Sequence, residues 1–414
     1  MESSVPSSVQ PRAPHPFVYS ILYLPFGALG GFVGVPLTYL ATKHGISIGD
    51  ASLLIGAQLL SQWLKWLWAP IVDVTWNPKR WYLFSTLCSA LGVFGMAVIP
   101  LSNETLWMLL AVIAFASLVN SIVGMSIEAI MAEVTPAGEQ GRVGAWFQAG
   151  NLGGAGFGGG LGLTLLTNLE APWMAGAIMG LTFAACCLVL PFVPDVQGHK
   201  VAGGTVLDSV KRDVGQLMET LRSRGGKLAA VLCFVPVSTG AAQGVLTQSA
   251  VAAYWGATET QVTWVQGYSS GAVTVVGCFV GGWLCDQFHP RKAYAGIGVL
   301  MALVVGLMGV LPATVTMYVA GNLAYAFTLG MAYAAFTALV LDAMGPGAGA
   351  TKYNIFASLS NFPLWWLGLL LGQVAEMAGS PAMLFAEGLL GLLGVGLFVL
   401  ADRTLEGPEH PVAQ

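Results

Sequence analysis

Long apolar runs, separated by short polar gaps, dominate this chain. Twelve can be drawn, at 17–42, 48–72, 81–101, 105–132, 143–168, 172–193, 228–252, 260–285, 292–311, 314–341, 353–376 and 381–401. Each is close to the roughly 20 residues that a helix needs to cross a hydrocarbon core of about 30 Å. The apolar positions are continuous rather than alternating. That predicts helices, which satisfy their own backbone groups in lipid. A membrane β-barrel would instead show alternating segments of about ten residues. One gap, 195–227, is long and polar and separates six runs from six. Within it Leu207, Val210, Val214, Leu217 and Leu221 recur every three or four residues, as one stripe of a helix does. The expectation there is an amphipathic helix on the inner membrane face.

Charge orients this array. With the N-terminus inside, the inner ends collect Arg12, Lys79, Arg80, Arg142, Lys200, Lys211, Arg212, Arg222, Arg224, Lys227, Arg291, Lys292, Lys352 and Arg403. Of the 16 Lys and Arg residues, Lys43 alone falls outside, and Lys65 falls within a span. Short loops rich in Lys and Arg stay cytoplasmic, so both termini are expected inside, on the cytoplasmic (inner) membrane. The composition agrees: 56% of the residues are hydrophobic and 9% charged, against about 25% charged in a soluble domain. Mean hydropathy is +0.73. The predicted fold class is an all-α integral membrane protein of twelve transmembrane helices. Its parts are a tail (1–16), a six-helix bundle (17–194), a linker (195–227), a second six-helix bundle (228–403) and a tail (404–414). The polar, Ser/Pro-rich first sixteen residues do not read as a cleavable signal, because the apolar run after them is too long.

The two halves echo each other. Trp68-Ala69-Pro70-Ile71-Val72-Asp73 is followed by Pro78-Lys79-Arg80, and Gly281-Gly282-Trp283-Leu284-Cys285-Asp286 by Pro290-Arg291-Lys292. Glu133-Val134-Thr135-Pro136 precedes Gly141-Arg142, and Asp342 through Pro346 precedes Lys352. Asn151 and Asn361 each lie nine residues beyond those two bases. Echoes at corresponding loops predict pseudo-symmetric halves related as parallel repeats, one of the transporter plans.

These residues resemble the major facilitator superfamily. Gly281 through Asp286 with Arg291-Lys292 is similar to that family's G-x-L-x-D-R-x-G-R-[RK] loop, with Gln287 standing where the motif has Arg. In the first copy Ala69-Pro70 replaces the glycine and Val74 the Arg. The resemblance implies two six-helix bundles rocking about a central site, with spans one, four, seven and ten lining it. Lys65 through Asp73 further resembles the K-x-L-W-A-P-x-x-D stretch of the branch that holds muropeptide permeases and acetyl-CoA transporters, to which siderophore permeases are related. That branch's basic continuation is reduced here to Lys79-Arg80-Trp81.

Charges inside spans are costly and usually face a cavity or a partner. Lys65 lies eight residues before Asp73, about 12 Å along an α-helix. Glu128 lies five before Glu133, about 7 Å. The resemblance makes spans two and four neighbours, so Lys65 and Glu128 are expected to pair or to bracket a polar pocket. The plainer alternative is an inner-face structural pair or a snorkelling lysine. Glu128 is also the candidate proton-coupling carboxylate. Of the polar residues within spans, Tyr23, Gln58, Gln62, Asn120, Gln243, Asn322 and Tyr325 are candidates for the substrate pathway, or else for interhelical hydrogen bonds. Asp73, Lys79, Arg80, Glu133, Arg142, Asp286, Arg291, Lys292, Asp342 and Lys352 form a candidate inner-gate charge latch, closed in the outward-facing state. Capping and topology signals are the alternative. The eight glycines of span five, Gly150 through Gly162, read as close helix packing.

The six cysteines lie in or beside apolar runs and the five histidines are scattered, so no metal site and no cofactor are expected. No basic face suggests nucleic acid, and no nucleotide-binding module supplies an ATP engine. No His joins an acid in a motif, which argues against a membrane acyl- or glycosyltransferase. A non-transporting receptor on the same fold is a further alternative. The leading expectation is a secondary active transporter, a permease working as a proton symporter. It would import a small polar or amphiphilic organic solute (muropeptide, acyl-CoA or siderophore-like) by alternating access. The alternative is a proton-coupled drug or metabolite efflux pump. The family implies a monomer in the lipid bilayer.

Overall fold

The computed structural model describes residues 14–68, 72, 75–134, 140–195, seven single positions from 208 to 231, 234–344 and 358–405, apart from a few side chains at their margins. All regular structure among them is helical. We label the spans α1 (Phe17–Lys43), α2 (Ile48–Trp63), α3 (Pro78–Val98), α4 (Leu106–Val134), α5 (Gln140–Asn168) and α6 (Pro172–Phe192). In the second half α7 is broken into Gln243–Leu246 and Ser249–Ala252, and α8 runs from Glu259 to Gln287 through a π turn at Thr263–Ser269. α9 (Pro290–Val310) and α10 (Val315–Met344) follow. The run Asn361–Leu405 bends at Gly379, whose φ of 85° no ordinary helical residue adopts, and Pro381 follows the bend. It forms α11 before the bend and α12 after it.

Eight helices among the described residues are long and apolar enough to cross a membrane by themselves. The twelve-span fold is recovered once the bent α11–α12 run is counted as two. The short α2, the glycine-rich α5 and the broken α7 make up the rest. α3 and α9 are 21 residues each, about 32 Å at 1.5 Å per residue. Leu91, Leu181, Leu188 and Val310 are at least 70% exposed. Apolar surface of this kind, all around the molecule, has lipid as its solvent.

Two sequence expectations change, and a third is met only in part by the described residues. The run 48–72 is not one helix: α2 ends at Trp63, and Lys65–Leu67 form a tighter 3₁₀ turn. Spacing along an α-helix therefore does not apply from Lys65 to Asp73. The run 228–252 is not continuous either. Pro236 has no N–H to donate, and Ser238 and Gly240 have φ of 52° and 73°, so the chain turns before helix resumes at Gln243. In the linker, Asp208, Lys211, Gly215, Met218 and Arg222 are helical and exposed. They sit one residue beyond the apolar stripe, whose own residues lie outside the described set.

The bundles are built alike. α3 and α9 both begin with proline at the first helical position, where its missing N–H costs nothing, capped by Asn77 and His289. Four residues on, Tyr82 donates to the Leu22 carbonyl of α1 at 2.8 Å, and Tyr294 to the Val237 carbonyl of the seventh span at 2.8 Å. Lys79 pairs with Asp195 beyond α6 at 2.9 Å, and Arg291 with Asp402 of α12 at 2.8 Å.

Glycine sets the tightest packing. In α5, added methyl groups at Gly150, Gly154 and Gly158 would collide with the backbone of α1 at Ser20, Leu24 and Ala28. On another face of the same helix, Gly156 and Gly160 meet Gly267 and Gly271 of α8 across the bundle interface. α2 and α11 form the second interface. There Gly372 receives Ser52, and Gly56 faces Leu369.

Candidate functional site

The interface between the bundles is polar toward the outer side. Lys43, at the end of α1, pairs with Glu259 at the start of α8. Beside it Thr42 meets Ser249 at 2.9 Å, and one turn in Thr38 meets Thr247 at 2.9 Å. Thr247 also donates to the Gly34 carbonyl at 2.8 Å. Gln248 Nε2 donates to Ser52 Oγ at 3.0 Å, and the Gly49 N–H donates to Glu376 Oε2 of α11 at 2.7 Å. These cross-bundle contacts tie α1 and α2 to α7, α8 and α11. The outer end of the path between the bundles is closed in this conformation. None of the threonines and serines among these residues was singled out from the sequence. A threonine within an apolar helix carries no sign of its partner more than 200 residues away.

The expected pathway residues are mostly occupied within their own bundles. Tyr23 is 4% exposed. Its ring stacks on Phe147 and Phe26 at centroid distances of 3.8 and 4.6 Å. Asn120 donates to the Phe26 carbonyl at 3.0 Å, joining α4 to α1. Gln58 lies against Gly30 of α1. Gln62 is buried, and its carbonyl accepts from Ser358 at 2.9 Å, so α2 and the α11 approach meet there. Asn322 accepts from Gln266 Nε2 and donates to the Tyr318 carbonyl at 2.7 Å. Gln243 is half-buried in the broken α7.

Lys65 and Glu128 are both half-buried. No ion pair joins them among the described residues. Of the expected latch, Lys79 is held by Asp195 at the start of the linker and Arg291 by Asp402 of its own bundle, and Arg80 and Lys292 are exposed. Asp73, Glu133, Arg142, Asp286, Asp342 and Lys352 lie outside the residues whose side chains are described. Among the described residues no cluster of His, Cys, Asp and Glu is arranged to hold a metal ion.

Tyr325 leads to an acid that sequence reasoning passes over. Its hydroxyl donates to Glu387 Oε1 of α12 at 2.6 Å, and the Ala242 N–H donates to the same oxygen at 3.2 Å. Glu387 is 4% exposed. The available signal was a lone acid inside the apolar run 381–401. A cavity of about 70 Å³ opens between α7, α9, α10 and α11, lined in part by Ser238, Thr239, Tyr294 and Asn361.

A sequence model of the Major Facilitator Superfamily matches residues 17–225, half of the chain. The chain belongs to this superfamily. Two solved structures share the fold over the whole molecule. They are crystal structures of a POT family transporter, one in complex with a thioalcohol-conjugated peptide and one in complex with 5-aminolevulinic acid. Each has a TM-score of 0.70 and 11% identity, and covers 95% of this chain and 96% of the other. No curated protein matches the sequence. The superfamily is one of multi-pass membrane transporters rather than enzymes.

Proposed function

We propose that the chain is a proton-coupled importer of a small polar or amphiphilic organic solute, working as a monomer in the cytoplasmic membrane by alternating access. The observation that carries this reading is the outer closure. It consists of short polar contacts between two bundles whose internal bonds are repeated and separate. Contacts of this kind break and reform as bundles rock, whereas Tyr82, Tyr294 and the Arg291–Asp402 ion pair travel with their own halves. The bundles are taken as 17–194 and 228–403, with 195–227 as the tether.

In this reading Lys65 and Glu128 flank the inner part of the path, and Glu128 is the proton-binding carboxylate of the first bundle. The charge latch at the inner helix ends belongs to the opposite, outward-facing state. An outer-closed conformation is the one in which that latch is undone. The substrate class follows the Lys65–Asp73 stretch: muropeptide, acyl-CoA or siderophore. The ligands of the POT family structures add a thioalcohol-conjugated peptide and 5-aminolevulinic acid to the candidates.

The test is a thermal-shift screen of the detergent-solubilised protein against these classes, with sugars and cationic drugs as controls, followed by flux into proteoliposomes under an inward proton gradient. A ligand at 100 times its Kd adds about 2.7 kcal/mol to the folded state. A stabilising class that then accumulates only with the gradient supports the reading. Accumulation that ignores the proton gradient overturns the coupling. Gradient-driven exit of the solute overturns the direction.

A further inference from the structure

Glu387 is a buried acid built into the break of α7. Its backbone setting is unusual. Ser238 adopts a left-handed φ of 52°, which for a residue with a side chain is held only where the surroundings enforce it. Helix resumes at Gln243, so the amide of Ala242 is one of the donors that a new helix start leaves without an intrahelical partner. Glu387 Oε1 supplies the acceptor at 3.2 Å and takes the Tyr325 hydroxyl at 2.6 Å as well. One carboxylate oxygen thus joins α12, α10 and the restart of α7.

The other oxygen is placed differently. Glu387 Oε2 is buried and meets no donor among the described residues, and the same holds for Ser238 Oγ. Glu387, Ser238 and Thr239 line one small cavity of about 10 Å³, the size that takes about one water. Ser238 and Thr239 also line the 70 Å³ cavity that reaches Tyr294 and Asn361, each within a turn of the inner end of its helix. The groups facing Glu387 are few. α10 contributes Tyr325. α9 contributes Gly298, Met301, Ala302 and Val305, and α12 itself Gly391. The restart of α7 contributes backbone N–H. None of these is a cation.

We propose that Glu387 is a second protonation site, reached from the inner side through the Ser238–Thr239 cavities, and that its proton occupancy sets the tightness of the break in α7. This rests on the proton-coupled reading above. The step is a simple proton binding. A hydronium ion reaching the inner cavity gives its proton to Oε2: one O–H bond of hydronium breaks, one forms at Oε2, water is left behind, and the carboxylate becomes a neutral carboxylic acid. Hydrogen bonds to an ionised acceptor are about twice as strong as neutral ones. Protonation therefore weakens the hold of Oε1 on Ala242 and Tyr325 and loosens the junction of α7 with α10 and α12. Deprotonation tightens it.

Hydrogen exchange of the peptide spanning 236–246, followed by mass spectrometry in detergent across a pH titration, tests this without any substrate. After correction for the intrinsic pH dependence of exchange, protection of the Ala242 region is expected to fall as pH is lowered. Glu387→Gln, which carries no proton to lose, is expected to show one low level of protection at every pH. Tyr325→Phe keeps the acid and is the second variant should Glu387→Gln fold poorly. It is expected to retain the pH response from a lower starting protection. Infrared difference spectra over the same titration should contain a carboxylic acid band that Glu387→Gln removes. A wild-type peptide with no pH response overturns the proposal, as does a response or acid band unchanged in Glu387→Gln. Neither readout uses a gradient. Coupled transport can therefore fail in proteoliposomes while this site stands, and the site can fail while coupled transport stands.

Discussion

Tyr82 and Tyr294 make the same bond in the two bundles: each lies four residues after the proline that opens its helix, and each donates to a backbone carbonyl of its bundle's first span at 2.8 Å. Tyr82 is 0% and Tyr294 5% exposed. Leu22 lies within the continuous α1 and Val237 in the turn before α7 resumes, and in both bundles the hydroxyl locks the third span to the first. Interhelical side-chain hydrogen bonds in membrane proteins average about 0.6 kcal/mol. Tyr82→Phe and Tyr294→Phe are expected to lose similar amounts of that size in detergent unfolding. The double variant should lose their sum, because the sites share no partner. A strongly unequal pair would mean that the repeat is a likeness of shape and not of energetics.

The Lys43–Glu259 pair gives a second prediction. Its side chains are 51% and 29% exposed, and exposed pairs contribute about 0.2–1 kcal/mol. Lys43→Glu should shift the balance between outer-closed and outer-open states by up to about fivefold, since about 1.4 kcal/mol is tenfold. Spin labels at the exposed outer-loop positions Glu104 and Thr314 report this as a longer distance distribution. The double swap Lys43→Glu with Glu259→Lys should restore the short one. Raised salt should mimic the single variant, because the pair lies where salt screens.

The spans and the repeat were legible in the sequence for a physical reason. Lipid demands long apolar helices, and the inner loops carry their charge in the open. Lys79 and Arg291 show this: both read as inner helix starts, and both are. The partners of those bases, Asp195 and Asp402, were not legible, since an acid at a helix end has many possible mates. The break at Ser238–Gly240 was hidden because apolarity continues through it, and only Pro236 and Gly240 mark it. Glu387 went unread for a related reason. A reading that seeks charge near the inner ends finds Lys65 and Glu128, while a lone acid in the outer half of the last span has no neighbour in sequence to explain it. The outer closure is made of Thr38, Thr42, Thr247 and Ser249, residues that in isolation look like ordinary helix positions bonding their own turn.

The α5–α8 contact yields a third prediction. A methyl group on Gly267 would sit 2.5 Å from the Gly160 Cα, a backbone atom that no rotamer change can move. Gly267→Ala should therefore cost the outer-closed state about 1–3 kcal/mol, as overpacking does. The same pair of spin labels should then report mostly the open distance. Gly153→Ala, on the facing helix α5 with open space around it, should leave the distribution unchanged. The contrast separates a gate contact from a general intolerance of side chains in a glycine-rich helix.

The two inner-end ion pairs look equivalent and are expected to differ in strength. Asp195 is 84% exposed beside Lys79, whereas Asp402 and Arg291 are 20% and 22% exposed. Water screens the first pair, and exposed pairs commonly contribute about 0–1 kcal/mol. The second holds a 2.8 Å bond from a guanidinium in a partly desolvated place, where hydrogen bonds to charged groups contribute about 1.5–3 kcal/mol. Asp402→Asn should therefore lower stability in detergent unfolding measurably more than Asp195→Asn. It should also loosen the inner ends of α9 and α12 together, seen as faster hydrogen exchange in both. Equal losses would mean that the bases act through their place on the inner membrane face and not through their acids. In that case the bundle ends would be held by lipid headgroups as much as by each other.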